Sequence, residues 1–155
     1  MTNDTQRALP LIAVLSQVRD AVGDELFGRL TELGFAELRP AHGCVFGNID
    51  NAGSRLTELA ERSGFTKQSV GEAVADLERL DFVERVPDPA DGRAKIIQLT
   101  EHGRAALDAS QEIFADIERR FAEEIGRERY AQFREALLDL HGLTQAPAEP
   151  ARRAA

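Results

Sequence analysis

Leu56-Thr-Glu-Leu-Ala-Glu-Arg-Ser-Gly64, then Phe65, then Thr66-Lys-Gln-Ser-Val-Gly-Glu-Ala-Val-Ala-Asp-Leu-Glu-Arg-Leu80, is the stretch that decides the fold. Its first run predicts a short helix closed by a glycine, the residue that best tolerates the left-handed backbone past a helix end. Thr66 suits the N-cap of a longer helix, from Lys67 to about Leu80, because its hydroxyl can accept from a free amide of the first turn. In that helix Val70, Ala73, Val74 and Leu77 share one face. Gln68, Gly71, Glu72, Ala75 and Arg79 share the opposite one. Ser63-Gly64-Phe65 predicts the turn between the helices, with Phe65 as an apolar plug.

Downstream the period changes. Phe82–Val86 and Ala94–Leu99 read as two short strands, the second rich in β-branched residues. Between them Pro87-Asp-Pro-Ala-Asp-Gly-Arg93 is dense in turn formers, which predicts a hairpin with a polar, exposed tip. Short helix, turn, longer helix and hairpin make the winged helix-turn-helix plan. In that plan the first helix braces the second, and the second lies in the DNA major groove.

The flanks read as helices. Leu11, Leu15, Val18, Val22, Leu26, Leu30 and Leu33 recur at spacings of three and four, on a helix that opens at Leu9-Pro10 and ends near Gly34. Pro40 opens a shorter helix to about Ile49, with Cys44, Val45 and Ile49 inward, and residues 51–54 form a loop. Thr100-Glu101 starts a further helix with Leu107, Ile113, Phe114, Ile117, Phe121 and Ile125 inward. After a break at Gly126 a last helix carries Tyr130, Phe133, Leu137, Leu138 and Leu140, and Gly142 ends it. Disordered tails are expected over residues 1–8 and 143–155. The domain spans residues 9–142, with the winged module at 54–100 and helical dimerisation and support regions at 9–53 and 101–142. The fold class is mainly α with a small β-hairpin wing.

Composition narrows the function. The chain has 155 residues, 43% of them hydrophobic, enough for one domain with a real core. A net charge of −8 argues against a protein that coats nucleic acid nonspecifically. Residues 54–104 carry eight basic and ten acidic side chains, so the middle is less repulsive than the rest, but charge alone does not point to DNA. Met1 to Arg7 is polar and no apolar run reaches membrane-spanning length, so a cytoplasmic protein is expected. One cysteine allows no intrachain disulfide, and three separated histidines give no local metal motif. Neither a nucleophile elbow nor a glycine-rich phosphate loop is present, so neither enzyme activity nor a cofactor is expected.

The segment from Arg55 to Gly71 resembles the helix-turn-helix of MarR-type regulators. Asp76-Leu-Glu-Arg-Leu-Asp-Phe-Val-Glu-Arg85 is similar to their passage from recognition helix to wing. Asp88-Pro-Ala-Asp-Gly-Arg-Ala-Lys95, with Leu99-Thr100, is similar to the wing itself, and is the most diagnostic part. The resemblance is contiguous over residues 54–104 and looser over 9–142. It implies a dimeric transcription regulator that binds double-stranded DNA at a palindromic operator.

The residues then take roles. Arg93 at the hairpin tip suits the minor groove, and Asp91 could orient its guanidinium; a solvated turn is the alternative. Lys95 and, at the bracing helix, Arg55 would reach phosphate. Thr66, Lys67 and Ser69 stand in the first turn of the recognition helix, whose free amides favour phosphate. Gln68 can pair bidentately with adenine, and Gly71 would let the backbone approach DNA closely. A solvated, capped helix face is the alternative for Gln68 and Ser69. Glu72 fits either cytosine recognition or simple exposure.

Such regulators often bind small aromatic acids between the dimer helices and the DNA module. The resemblance therefore implies a wall at Phe35–Ile49, with Arg39 and His42 as polar groups and Phe46 as an apolar one. A packed elbow is the competing reading. Cys44 reads as a buried thiol rather than a redox sensor, since His42 cannot face it along a helix. A winged module that binds protein instead of DNA, and a redox-sensing regulator acting through Cys44, are the remaining alternatives.

Overall fold

The computed structural model describes residues 9–145. The expected tail at 1–8 and most of the one at 143–155 lie outside the described residues. Two compact units divide the chain between Phe114 and Ala115.

The first unit opens with helix α1, Leu11–Glu32. Gly34 ends its last turn at φ 94°, and the Phe35 amide returns to the Leu30 carbonyl at 2.8 Å. A 3-10 turn, Pro40–His42, leads into the single-turn helix α2, Gly43–Phe46. One helix to Ile49 was expected. Glycines at both ends of α2, Gly43 and Gly47, weaken its propagation, and the Asn48 and Ile49 amides both close back on Val45.

Strand β1, Ser54–Arg55, precedes helices α3, Leu56–Ser63, and α4, Lys67–Arg79. Strands β2, Val83–Pro87, and β3, Lys95–Leu99, form the hairpin. The sheet is antiparallel in the order β1-β3-β2, with Ser54 opposite Ile97 and Val83 opposite Leu99. The third strand falls where a loop and a helix start were expected. Gly53 admits it: at φ 88°, an added Cβ would lie 2.8 Å from the Ile97 carbonyl oxygen.

The core of this unit is built where the elements converge. Leu30, Val45, Leu59, Val70, Val74 and Leu77 are buried. In the sheet Val83, Ile97 and Leu99 point inward, as alternation along a strand requires. Helix α5, Glu101–Ile125, starts against the backbone at Phe82. The Thr100 amide donates to the Phe82 carbonyl at 3.1 Å, and the Thr100 hydroxyl accepts from the Gly103 amide at 3.0 Å.

In the second unit α5 ends before Gly126, at φ 93°, and helix α6 runs over Arg127–Gln145. It passes Gly142 without stopping, because an interior glycine costs a helix only about 1 kcal/mol. Tyr130 and Phe133 pack with ring centroids 6.5 Å apart.

The long apolar stripes are less buried than their periodicity predicts. Leu30 is the one buried residue of α1, whereas Leu11, Val18 and Leu33 are exposed. Ile113 and Ile117 of α5 are buried, but Phe114, Phe121 and Ile125 are exposed. Phe133, Leu137, Leu138 and Leu140 of α6 are exposed as well. Periodicity marks a helix face that prefers to leave water; it does not say which surface covers it.

Candidate nucleic-acid interface

The recognition helix is set from both ends of the turn before it. The Arg55 amide donates to Glu58 Oε2 at 2.8 Å, a capping box that starts α3. Gly64 closes α3 in the left-handed region at φ 71°. Thr66 then caps α4 as expected: its hydroxyl oxygen accepts from the Ser69 amide at 3.1 Å. With Val70, Val74 and Leu77 buried, α4 turns Lys67, Gln68, Ser69 and Glu72 outward. Gln68 Nε2 donates to Glu72 Oε1 at 3.1 Å, which holds the amide along the helix surface.

Two residues here depart from expectation. Phe65 is no plug: it is 60% exposed. Leu59 and Val70, both fully buried, pack the helix pair instead. Gly71 faces its own fold, since an added Cβ would meet Leu56 Cδ2 of α3 at 3.9 Å.

The wing is organised by its aspartates. Asp88 Oδ1 accepts from the Ala90 amide at 2.8 Å, and the Asp88 amide donates to the Ala94 carbonyl at 3.1 Å. Asp91 Oδ1 accepts from the Arg93 backbone amide at 3.1 Å. Asp91 therefore shapes the tip through the main chain and does not orient the Arg93 guanidinium. The Arg93 and Lys95 side chains are exposed, with no hydrogen bond or ion pair among the described residues.

Arg55 is engaged within the fold. Its Nε donates to Asp88 Oδ2 at 2.7 Å, and its Nη2 reaches the same oxygen. That pairing makes Arg55 an anchor between the start of α3 and the wing. The Ala90 amide and then the Arg55 guanidinium hold the Asp88 carboxyl below the usual carboxylate range.

Beside this module, Arg39, His42 and Phe46 line one cavity of about 370 Å³, with Leu26 and Leu30 of α1 and Phe114 of α5. His42 is buried. Its Nδ1 accepts from the Arg39 amide at 3.2 Å, which leaves the proton on Nε2, facing Asp76 Oδ2 at 3.0 Å. Arg39 Nη2 donates to the same Asp76 oxygen at 2.5 Å, and Arg79 Nη2 to Asp76 Oδ1 at 2.5 Å. Arg79 first, then His42, lowers the Asp76 pKa. Sequence reasoning missed Asp76: only its spacing of three from Arg79 was visible. Cys44 is buried, its Sγ donating to the Ala41 carbonyl at 3.1 Å, and burial pushes its thiol pKa up.

A braced helix with a polar N-terminal turn, beside a three-stranded sheet whose hairpin exposes Arg93 and Lys95, defines a winged helix-turn-helix fold. A sequence profile described as MarR family matches residues 36–94, the segment that runs from the cavity wall to the wing. Over that segment the chain is similar to the MarR family, and its fold is that of winged helix-turn-helix regulators. No curated protein matches the sequence. Among solved structures, CouR from Rhodococcus jostii RHA1, bound to p-coumaroyl-CoA, is 26% identical, with a TM-score of 0.65 over 82% of this chain and 88% of that one. The transcriptional regulator Tm0710 from Thermotoga maritima is 25% identical, with a TM-score of 0.57 over 86% and 93%. The S. aureus MepR-DNA complex shares the fold at a TM-score of 0.71, over 86% and 98%, with 19% identity. Among the described residues no helix is long and apolar enough to cross a membrane.

Proposed function

We propose that this regulator is a homodimeric, sequence-specific repressor that small aromatic acids release from a palindromic operator. One observation carries the DNA reading. The outward turn Lys67-Gln68-Ser69, capped by Thr66, and the tip residues Arg93 and Lys95 present polar and cationic groups on one winged module. Gln68 reads a base edge in the major groove, Lys67, Ser69 and Lys95 meet phosphate, and Arg93 enters the minor groove.

Dimerisation is supported by two exposed stripes. Leu11, Val14 and Val18 repeat at helical spacing on α1, and Phe133, Leu137 and Leu140 do so on α6. A second copy would cover them and would place two recognition helices about one DNA turn apart. The effector reading is supported by the apolar cavity with Arg39 on its wall, since a carboxylate on an aromatic body matches that combination.

Selection of duplexes from a random pool tests the DNA reading, followed by anisotropy titration across salt. An inverted repeat is expected, with affinity falling steeply as salt rises. Retention of no sequence above the pool average at low salt removes the DNA reading. A monomer by light scattering removes the dimer.

A further inference from the structure

The cavity wall and the recognition helix meet at one carboxylate. Arg39 and His42 both line the cavity and both bond Asp76 Oδ2, while Arg79 takes Oδ1. Asp76 stands in α4 eight residues beyond Gln68, which is about 12 Å along the same helix. A helix moves nearly as a rigid rod over that length, so what holds Asp76 also sets where Gln68 lies.

Arg39 is the replaceable partner. Its side chain is 62% exposed, whereas that of His42 is 3% exposed and is held from the other side by the Arg39 amide. A guanidinium has five N–H donors in a planar fork, and a free carboxylate can take two of them side by side. Asp76 cannot match that bidentate grip with its second oxygen committed to Arg79.

We propose that the Arg39–Asp76 ion pair is a latch that positions the recognition helix, and that a carboxylate-bearing ligand in the cavity opens it by taking Arg39. The opening step rests on the reading of the cavity as an effector site; the latch itself does not. Asp76 is a positioning residue that touches neither DNA nor ligand. Its charge is read by Arg39 from the cavity side and by Arg79 from the helix side. Among the described residues, loss of the first contact leaves His42 as the only tie from the cavity wall to this carboxylate.

The test is a double-mutant cycle on the selected operator, without ligand, using Arg39→Gln, Asp76→Asn and the pair. Each single variant is expected to weaken operator binding roughly fivefold or more, and the double variant no further than the weaker single. Arg39→Lys should restore part of the loss, and circular dichroism should show the fold retained in each. Independent penalties that multiply, or unchanged operator affinity in both singles, overturn the latch.

Benzoate and its neutral isostere benzamide then probe the opening. Benzoate should weaken operator binding of the native chain, leave Asp76→Asn unmoved, and still bind that variant in calorimetry; benzamide should have no effect on the operator. Benzoate that binds and releases Asp76→Asn as fully as the native chain overturns the latch but leaves the effector reading standing. Benzoate that binds neither protein overturns the effector reading and the opening step, while the ligand-free cycle still decides the latch.

Discussion

Arg55 grips Asp88 across 33 positions of sequence, and that pair joins the start of the bracing helix to the base of the wing. Asp88 also takes the Ala90 amide, so one carboxylate fixes both the shape of the wing and its attachment. Arg55→Gln and Asp88→Asn are therefore expected to weaken operator binding alike, by about tenfold, as the wing loses its seat. The two losses should not multiply when combined. Direct phosphate contact by Arg55 would instead lower the salt slope by about one unit in Arg55→Gln and leave Asp88→Asn nearly unaffected. Anisotropy titrations at several salt concentrations separate the two.

The exposed cations and amides of the interface have distinguishable signatures. Arg93→Ala should weaken all duplexes and make the salt dependence shallower by about one unit. Gln68→Ala should change preference at one base position while leaving nonspecific binding within about twofold. Since Gln68 donates to Glu72 Oε1, Glu72→Ala should alter the same position. Equal losses on every sequence would contradict the base-reading role.

Two glycines are expected to behave in opposite ways. A Cβ at Gly103 would lie 1.9 Å from the Phe82 carbonyl oxygen, a backbone atom that cannot rotate away. Gly103→Ala should cost about 3 kcal/mol or more in urea unfolding, because the start of α5 must lift off. At Gly71 the new methyl would meet only Leu56 at ordinary contact distance. Gly71→Ala should add about 0.5–1 kcal/mol through helix propensity and leave operator affinity unchanged. A large loss of affinity there would favour a close backbone approach to DNA instead.

Acid should weaken the fold through three named carboxyls. Arg62 lowers the pKa of Asp50, Arg79 that of Asp76, and the Ala90 amide that of Asp88, each from the ordinary 3.8. A depressed folded-state pKa means that the charged form is favoured by folding. That contribution is complete above the unfolded value and disappears as pH falls through the folded one. The urea midpoint should fall mainly below about pH 4. Asp76→Asn and Asp88→Asn should each flatten the fall; an unchanged acid slope in both would deny these pairs a share in stability.

Cys44 should be slow to react while the chain is folded. Burial disfavours its thiolate, the nucleophilic form. Alkylation by iodoacetamide at pH 7.5 should run at least about tenfold slower in the native protein than in urea. Cys44→Ala should keep whatever response to oxidants the operator complex shows. Native labelling at the unfolded rate would reopen a redox role.

The division between what was legible and what was not follows the range of the interactions. The capping hydroxyl of Thr66, the stop at Gly64, the inward set Val70, Val74 and Leu77, and the hairpin around Asp88-Pro-Ala-Asp-Gly could all be read. Each is written within about ten residues of chain and obeys a helix or strand period. The wall residues Arg39, His42 and Phe46 came from resemblance alone; no local pattern announces a cavity assembled from α1, α2 and α5. The two-residue strand β1 is too short to carry alternation. Phe65 reads as buried because apolar residues in turns between helices usually are, and only the packing of Leu59 against its surroundings shows the space filled without it.

Local chemistry in the chain thus determined the winged helix-turn-helix module, the capped start of its recognition helix and the place of Arg93 on the hairpin. Tertiary structure decided which charges are spoken for. Arg55 belongs to Asp88 and Arg39 to Asp76, partners 33 and 37 residues away. A carboxylate selects its cation by distance in space, and distance in space between remote segments has no periodic trace in sequence.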